Sequence, residues 1–268
     1  MSDNSTEFIG FSEFESIYEK NIMSSEARDI FSSDLTKHLL SDDVKKRMYC
    51  ISEKLTENAK KFNLTSILEP SEIVRKHILD SLLPLGIMEK HGILSSRECE
   101  RRLLADIGCG AGFPSLPIIA ASIGYFDLYG MCVDSTDKKI RHVNETIDYI
   151  GMRGCGEGIT ARAEELSSLR GRFDITIARA VSSLPVLIEL CAPLTRVGGH
   201  FIAMKSHADE EIAVLGHAPE KLGMILGDRV RYSLPGGDER EVIIFIKTKE
   251  TSAEYPRRYA EIVKKPLN

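Results

Sequence analysis

The sequence lacks paired cysteines, long apolar runs and an excess of basic residues. Its six cysteines form no CxxC pair: Cys50, Cys99, Cys109, Cys132, Cys155 and Cys191. Scattered cysteines are typical of reduced thiols in a cytosolic protein, and they give no zinc-binding pattern. No apolar run approaches the roughly 18 residues of a membrane-spanning helix, and the acidic beginning MSDNSTEFIGFSEFESIYEK does not match a secretory signal. We therefore expect a cytoplasmic protein without a metal or a membrane segment.

The net charge of −5 disfavours a surface that is basic throughout. Residues 1–50 hold ten acidic and six basic residues, so most of the negative excess lies there. The last fourteen residues, YPRRYAEIVKKPLN, hold four basic residues and one acidic residue. Charge asymmetry of this kind predicts a local basic patch, which a nucleic acid would contact in preference to the rest of the surface.

The first hundred residues have the pattern of helices. Apolar residues recur at steps of three or four between Val44 and Phe62, and again from Val74 to Leu85. Ser71, just after a proline, is the expected N-cap of the second of these helices. We predict a mobile or helical extension over residues 1–40 and a helical N-terminal part over residues 41–100.

From residue 101 to residue 268, short apolar runs alternate with helix-like segments, and a basic tail ends the chain. The runs are LLADIG, DLYGMCVD, GIT, DITIAR, GGHFIAMK and EVIIFIK. Buried strands separated by helices predict βαβ units and a mainly parallel, doubly wound sheet of the α/β class. Ligands of such sheets bind at the carboxyl ends of the strands.

Three glycines follow the first predicted strand at alternate positions, in LLADIGCGAGFPSLPIIA. The spacing Gly108-x-Gly110-x-Gly112 differs from the GxGxxG of dinucleotide-binding folds. Pro114 and Pro117 remove N–H donors from the first turn of the next helix, where a pyrophosphate would bind. The pattern therefore favours S-adenosylmethionine, a nucleoside cofactor without phosphates. A tight strand-to-helix turn without a ligand is the alternative.

Acidic residues stand at the ends of the first two predicted strands. Asp106 is placed to face the aminoacyl end of the cofactor, and Asp134 to accept hydrogen bonds from two ribose hydroxyls. An N-cap of the helix that begins near Thr136 is the structural alternative for Asp134, and both roles can coexist.

Several blocks of the sequence together resemble the bacterial small-subunit rRNA guanine-N7 methyltransferases, the GidB/RsmG family. In order they are NLTSILEPSEIVRKHILDSL, ADIGCGAGFPSLPIIA, VDSTDKKIRHV, ITARAEEL, ARAVSSLPVLIELCAPLTRVGGHFIAMKS and YPRRYAEIVKKPL. The resemblance covers residues 62–267. It implies a Rossmann-like S-adenosylmethionine-dependent methyltransferase sheet with a small helical N-terminal part. The lead before these blocks is longer than expected, and Ser115 stands where the family commonly has glycine.

The resemblance also implies contacts with the cofactor. Gly108 and Phe113 would line the S-adenosylmethionine pocket. Ala163 and Glu164 would lie against the adenine, and Arg179 would reach the cofactor from the fourth strand. Each has a structural alternative: Phe113 as a core residue, Glu164 as a solvated acid at a helix start, and Arg179 as an ion-pair partner.

The implied activity is methylation of a guanine N7 in 16S rRNA, which requires no general base. N7 offers a lone pair and has no proton to lose, so the main requirement is alignment of the base with the methyl group. We therefore assign no catalytic acid or base.

The candidate RNA contacts are basic residues near the predicted cofactor edge and in the tail. They are Lys138, Lys139, Arg141, Lys205, Arg257 and Arg258, with Arg75, Lys76, Lys264 and Lys265 as further basic residues. Lys205 and Arg179 are candidates for binding the target phosphate or the guanine O6. Solvated surface charge is the alternative for each cluster and for Lys205. The expected partner is 16S rRNA or the small ribosomal subunit, and the expected state is a monomer.

Two other functions remain open. A nicotinamide-dependent oxidoreductase would use the same type of sheet, although the GxGxG spacing and the two prolines disfavour it. An RNA-binding assembly module would keep the fold and the cofactor pocket but transfer no methyl group.

Overall fold

The structure is a computed structural model, and it describes residues 8–96, 100–179 and 182–268. Three parts of the sequence interpretation lie outside the described residues. They are the first seven residues of the extension, Cys99, and residues 180–181 within one of the blocks that resemble a known family.

Seven strands form the sheet. They are β1 (Arg102–Ile107), β2 (Leu128–Asp134), β3 (Gly156–Thr160), β4 (Phe173–Arg179), β5 (Thr195–Lys205), β6 (Met224–Ser233) and β7 (Glu239–Lys247). Their order is β3-β2-β1-β4-β5-β7-β6. Strands β1 to β5 are parallel, and β7 is antiparallel to both β5 and β6. This confirms the predicted α/β class with a mainly parallel, doubly wound sheet.

The reversed direction of β7 determines which residues meet at one edge. Lys205, at the end of β5, pairs with Glu241, close to the beginning of β7. Ser233, at the end of β6, pairs with Glu239. The carboxyl ends of β4, β5 and β6 therefore share an edge of the sheet with the amino end of β7.

The sequence pattern does not predict strand β6. This strand lies at the edge of the sheet, and after Met224 its residues are exposed or half-buried. An edge strand with solvent on its free side needs no continuous apolar run, so the pattern of a buried strand is missing.

Helices cover both faces of the sheet and build the N-terminal part. They are α1 (Phe11–Ile22), α2 (Ser25–Arg28), α3 (Ser33–Leu39), α4 (Asp42–Phe62), α5 (Pro70–Ile73), α6 (Asp80–Lys90), α7 (Ser115–Ser122), α8 (Asp137–Tyr149), α9 (Leu184–Cys191), α10 (Asp209–Ala213), α11 (Ala218–Lys221) and α12 (Tyr259–Lys264). A π-helical segment, Val74–Leu79, joins α5 to α6. No helix in the described ranges is both long enough and apolar enough to span a membrane.

Helix α4 connects the N-terminal part to the sheet. Its predicted apolar stripe is buried from Val44 to Ala59, and it packs against α1, α7 and α8. The helix ends at Asn63, whose φ of 55° turns the backbone into the left-handed region. Apolar periodicity thus predicted both the helix and the face that it buries.

The extension is helical from Phe11 onward. Phe14 and Tyr18 of α1 are fully buried, and the Tyr18 hydroxyl donates a hydrogen bond to the Leu39 carbonyl at 3.1 Å. These side chains share one hydrophobic core with α4, α6 and one face of the sheet. Residues 11–39 are therefore a packed helical layer, while the boundaries at residues 40 and 100 stay predictions.

The expected N-cap at Ser71 is wrong. Pro70 is the first residue of α5, and the cap is Glu69, whose carboxylate accepts a hydrogen bond from the Glu72 N–H at 2.8 Å. Proline suits the first helical position because it has no N–H to leave unpaired. The cap therefore lies two residues earlier, and Ser71 donates its hydroxyl to Glu69.

Replacement of Phe14 by alanine should destabilise the whole protein. The side chain is fully buried in the shared core, and a Phe→Ala change in a core costs about 3–5 kcal/mol. Urea unfolding measures the loss, with Met23→Ala, at a 40% exposed residue just after α1, as the control. Equal stability of the two variants would mean that α1 does not belong to the core.

Candidate functional site

The ends of β1, β2, β4 and β5 lie along the edge of the sheet where ligands of this fold bind. The chain reverses its direction of winding between the neighbouring strands β1 and β4, and a crevice opens at such a point. Gly108 follows β1, Asp134 ends β2, Arg179 ends β4 and Lys205 ends β5. The topology therefore brings together residues that are up to 97 positions apart in the sequence.

The glycine loop after β1 requires glycine at its three alternate positions. Gly108, Gly110 and Gly112 have φ values of 77°, 58° and 89°, which side chains disfavour. At Gly112 a Cβ would also collide with the Leu116 side chain. The GxGxG spacing is thus the spacing of left-handed backbone positions in a loop that wraps the end of β2.

Asp134 fastens this loop to the end of β2. One carboxylate oxygen accepts a hydrogen bond from the Gly110 N–H at 3.0 Å, and the other accepts one from the Thr136 N–H at 2.9 Å. The Lys139 ammonium lies 3.7 Å from the same carboxylate. Thr136 itself occupies the cap position of α8. Asp134 therefore orders the turn into α8, and it also lines the cleft described next.

Two adjoining cavities lie beside the glycine loop. The first, here the β1–β3 cleft, has a volume of about 170 Å³, and its lining includes Gly108, Asp134, Ala163, Glu164 and Tyr259. The second, here the loop cavity, has a volume of about 350 Å³, and its lining includes Gly108, Phe113, Asp134, Lys139 and Arg179. The six residues predicted to contact the cofactor therefore line these two cavities, which share Gly108 and Asp134.

Ala163 and Glu164 reach the β1–β3 cleft from a short 3-10 turn, Ala163–Glu165, that follows β3. The Glu164 side chain is only 14% exposed, and one of its carboxylate oxygens lies 4.0 Å from the Arg162 guanidinium. The alternative of a solvated acid at a helix start therefore does not describe Glu164.

Asp106 is fully buried, and one carboxylate oxygen accepts hydrogen bonds from the Ser115 hydroxyl at 2.7 Å and the Ser115 N–H at 3.2 Å. Burial raises the pKa of Asp106 to about 6. The hydrogen-bonded oxygen forms an internal tie between β1 and the start of α7, while the other carboxylate oxygen is buried without a hydrogen-bond partner. The expected contact with the aminoacyl end of the cofactor stays a prediction. Ser115, the departure from the family pattern, supplies that tie.

Helix α7 has no N–H group to offer a phosphate in its first positions. Pro114, at its cap, and Pro117 lack the donor. The Ser115 N–H is used by Asp106, and the Leu116 N–H donates to the Gly112 carbonyl at 2.7 Å. A pyrophosphate bound at this helix would find none of the usual donors.

A stack of side chains separates the loop cavity from a third and larger cavity. The ring of His77, from the π-helical segment, stacks on Phe113 with centroids 4.8 Å apart and an interplanar angle of 25°. The Arg179 guanidinium carbon lies 5.6 Å from the centroid of the Phe113 ring. The third cavity, here the large cavity, has a volume of about 550 Å³. His77 and Arg179 line both the loop cavity and the large cavity.

The large cavity combines charged and apolar side chains. Its lining includes Lys76, Asp80, Arg179, Met204, Lys205 and Arg240. The Lys205 side chain is only 9% exposed, and its ammonium lies 2.8 Å from a Glu211 carboxylate oxygen and 2.6 Å from the Ser182 carbonyl oxygen. Lys205 therefore lines this cavity as an ordered, largely buried side chain, and it is not a solvated lysine.

Arg179 both lines the cavities, as predicted for a cofactor contact, and forms an ion pair, which was its structural alternative. Its guanidinium donates to the Asp80 carboxylate at 3.0 Å and to the Lys76 carbonyl at 3.3 Å. Phe113 likewise lines the loop cavity but is only 5% exposed. Residues of the N-terminal helical part thus contact both Arg179 and Phe113.

The remaining basic candidates lie in several places. Lys138 is exposed at the start of α8, and Arg141 pairs with Asp137 at 3.0 Å. Arg257 binds both carboxylate oxygens of the fully buried Glu189, whereas Arg258 is exposed at the cap of α12. Arg257 thus anchors the tail to α9. Its predicted contact with RNA stays a prediction.

Of the four further basic candidates, two form ion pairs and two are exposed. Arg75 pairs with Glu72 and Asp238, and Lys76 pairs with Glu72 at 2.6 Å. Lys264 and Lys265 are exposed.

His77, Asp80 and Arg240 are site residues that the sequence interpretation missed. Two of them lie in the quoted block NLTSILEPSEIVRKHILDSL, to which no role was given. Their spacing of three residues on one helical segment was the available signal. Arg240 had no such signal, because its strand reaches the site only through the reversed direction of β7. Within the three described ranges, no group of His, Cys, Asp or Glu side chains could hold a metal ion.

The pH dependence of stability should reflect His77. Burial and the positive charges of Arg179 and Lys76 lower the pKa of His77 from 6.5 to about 4. Between these values the unfolded chain binds a proton that the native protein does not, so stability falls as the pH falls. His77→Gln should reduce this loss by at most about 1.4 kcal/mol per pH unit.

Urea unfolding between pH 7 and pH 5 measures this effect. His217 is exposed, and His217→Gln should keep the wild-type slope. If His77→Gln keeps it as well, His77 is not neutral in the native protein.

Comparisons with known proteins agree with this geometry. Residues 45–227 match the family described as GidB, rRNA small subunit methyltransferase G. A ribosomal RNA small subunit methyltransferase G from Limosilactobacillus reuteri is 41% identical over 219 residues, which cover 80% of this chain and 87% of the relative. Its counterpart from Acetivibrio thermocellus is 35% identical over 232 residues, which cover 85% of this chain and 90% of the relative.

Solved structures share the fold at low sequence identity. A geranyl diphosphate methyltransferase in complex with S-adenosylmethionine has a TM-score of 0.51 at 13% identity, covering 69% of this chain and 92% of that one. A SAM-dependent methyltransferase from Aquifex aeolicus has a TM-score of 0.50 at 14% identity, covering 67% and 94%. These likenesses confirm the predicted Rossmann-like methyltransferase fold. The family match over residues 45–227 and the relatives of 35% and 41% identity show that the chain belongs to the rRNA small subunit methyltransferase G (GidB) family.

Proposed function

We propose that this protein is an S-adenosylmethionine-dependent methyltransferase that methylates N7 of a guanine in 16S rRNA. The observation that carries the proposal is the arrangement of the cavities. The β1–β3 cleft adjoins the loop cavity at Gly108 and Asp134, and the loop cavity adjoins the large cavity at His77 and Arg179. Relatives named as ribosomal RNA small subunit methyltransferase G support the choice of RNA as the substrate.

The residues of the first two cavities suit S-adenosylmethionine. Asp134 ends β2 with a carboxylate that can accept hydrogen bonds from both ribose hydroxyls. Gly108 allows the ligand close to the backbone, and Ala163 and Glu164 lie where the adenine is expected. A dinucleotide is disfavoured because the first positions of α7 offer no N–H group to a pyrophosphate.

The large cavity is the proposed site of the target guanine. Its volume of about 550 Å³ lies within the range of small-molecule sites, and a base swung out of an RNA loop can enter such a pocket. Met204 supplies apolar surface for the ring, while Arg179 and Lys205 supply donors for the guanine O6 or a phosphate. These donors orient the base while leaving N7 free.

Methyl transfer in this site requires orientation and no proton transfer. S-adenosylmethionine would supply an electrophilic methyl group on a sulfonium. Transfer of this methyl group to the N7 lone pair would leave the S–C bonding pair on sulfur and the positive charge on the base, so no proton would have to be removed. The task of the protein is to hold the two reactants in line and to exclude water, which contributes about 7–11 kcal/mol in well-oriented reactions. His77 stays neutral beside this transfer, so it adds no charge that would repel the sulfonium.

We propose that basic side chains near the cavities contact the RNA beyond the target nucleotide. Lys138 and Arg258 have no partner within the described part of the chain, and Lys139 and Arg141 lie beside Lys138 on α8. The net charge of −5 limits this binding to a local patch and a structured RNA. Because the proposed substrate is rRNA, we propose that the protein acts in the cytoplasm, as a monomer, on 16S rRNA or the small ribosomal subunit.

Transfer of labelled methyl groups tests the proposal directly. Small-subunit RNA that lacks the modification, supplied as naked RNA and as assembled subunit, should accept one methyl per molecule on a guanine N7. Mapping of the modified nucleotide identifies the position. Tight S-adenosylmethionine binding without transfer to either substrate would favour an assembly module, and recovery of a bound dinucleotide by mass spectrometry would favour an oxidoreductase.

Replacement of Gly108 by valine should strongly weaken cofactor binding. Valine would be strained at a φ of 77° and would fill space beside the cleft. A cost of about 3 kcal/mol corresponds to an affinity lower by about a hundredfold. Calorimetry with S-adenosylmethionine measures the loss. Gly151 has a φ of 69° with open space around it, so Gly151→Val is the matched control for backbone strain. Unchanged affinity of Gly108→Val would remove the glycine loop from the site.

A further inference from the structure

One buried carboxylate joins the N-terminal helical part to three strands of the sheet. Asp80, the first residue of α6, has a side chain that is only 6% exposed. It accepts a hydrogen bond from Arg179 of β4 at 3.0 Å, and it lies 3.3 Å from Nε of Arg240 at the start of β7. The Tyr232 hydroxyl of β6 lies 3.4 Å away. All four elements meet at the edge where β4 and β6 end and β7 begins.

The two arginines need this carboxylate in order to stay where they are. Their side chains are 15% and 21% exposed, so both are largely removed from water. Like charges at close range repel each other, and a single carboxylate between them offsets that repulsion. Without it, at least one guanidinium would turn outward to regain water. Asp80 therefore fixes where both positive charges lie, not only that they are present.

The position of these charges matters for the proposed substrate. Asp80, Arg179 and Arg240 all line the large cavity, and Arg179 also lines the loop cavity beside Phe113. A guanine nucleotide presents the O6 carbonyl and phosphate oxygens, which guanidinium groups bind well. N7 lies next to O6 on the same edge of the base and must stay free of donors to attack the methyl group. A guanidinium displaced by about 1 Å would bind N7 or misalign it.

We propose that Asp80 is a positioning residue for methyl transfer, which holds Arg179 and Arg240 so that they bind the guanine nucleotide and leave N7 aligned with the methyl group. This inference rests on the function proposed above. Asp80 itself takes no proton and forms no bond to the substrate. It acts through the two arginines, and we therefore expect its loss to lower kcat.

The chain contains a matched carboxylate at the opposite edge of the sheet. Asp174, at the second position of β4, has a side chain that is 14% exposed. It pairs with Arg102 at 3.1 Å and with Arg196 at 2.8 Å. Asp80 and Asp174 thus each hold two arginines, one pair at each end of the same strand. Only the Asp80 pair borders the cavities of the site.

Comparison of Asp80→Asn with Asp174→Asn tests the inference. Both changes keep the side-chain volume and remove one negative charge from between two arginines. Methyl transfer to unmodified small-subunit RNA is measured at saturating S-adenosylmethionine and RNA, and urea unfolding is measured in parallel. We expect kcat to fall by about a hundredfold in Asp80→Asn, as misplacement of reactants by about 1 Å does. Asp174→Asn should keep the wild-type kcat while losing comparable stability.

Two results would overturn the inference. One is a kcat of Asp80→Asn within about threefold of the wild type, and the other is an equal loss of kcat in Asp174→Asn. Failure of the proposed function has a different signature, because the wild-type protein itself would then transfer no methyl to guanine N7 in the same assay.

A second variant covers the case in which Asp80→Asn does not fold. Arg240→Gln leaves the carboxylate paired with Arg179 and changes a partly exposed side chain that lines the large cavity, so the fold should be kept. Its kcat should fall by about tenfold, and an unchanged kcat would contradict the inference. Where both single variants fold, the double variant should lose less than the product of the two single losses, since Asp80 acts through Arg240. Losses that multiply would show that Asp80 acts independently.

Discussion

The attachment of the glycine loop to the end of β2 is the interaction on which the site depends. The N–H groups of Gly108 and Cys109 donate to the Val133 carbonyl at 2.8 and 2.9 Å, and the Gly110 N–H donates to the Asp134 carboxylate. These bonds fold the loop across the end of the sheet. The outer face of the loop is left facing the cavities. The β1–β3 cleft and the loop cavity meet along that face, at Gly108 and Asp134. A loop with ordinary side chains could not take this path, because its alternate residues have left-handed backbones.

The N-terminal helices form one wall of the site and are more than a cover for the core. His77 comes from the π-helical segment and Asp80 from the start of α6, and they contact Phe113 and Arg179, which belong to the sheet part of the chain. π-helical turns widen a helix locally and are frequent at functional sites. Helices α1 and α3 of the long lead pack against α4 and share the hydrophobic core that α4 and α6 contribute to. Packing of this lead is thus connected to the site through the segment that carries His77.

The sequence could predict those parts of the fold that repeat a local pattern. Apolar periodicity predicted α4, and apolar runs predicted the six strands that are buried at least in part. Strand β6 was not predicted, because an exposed edge strand needs no such apolar run. The six predicted cofactor residues line adjoining cavities because strand ends in a parallel sheet converge. The sequence did not show that Asp106 is buried and bonded to Ser115, since alternate residues of a strand point to opposite faces, and spacing alone does not tell how far each residue is buried.

Long-range pairing explains what the sequence could not show about the rest of the site. Asp80, Arg179 and Arg240 lie far apart in the sequence, and their meeting depends on the antiparallel insertion of β7 between β5 and β6. Carboxylates hold the positive charges of the site: Asp80 holds Arg179 and Arg240, Glu211 holds Lys205, and Asp134 lies beside Lys139. The proposed reaction would move one positive charge from sulfur to a base and create no new charge, so it would need neither an oxyanion site nor a proton relay. What it needs is that no cation shifts while the charge moves. Paired side chains at the edge of a rigid sheet, around a neutral His77, meet that need better than free lysines would.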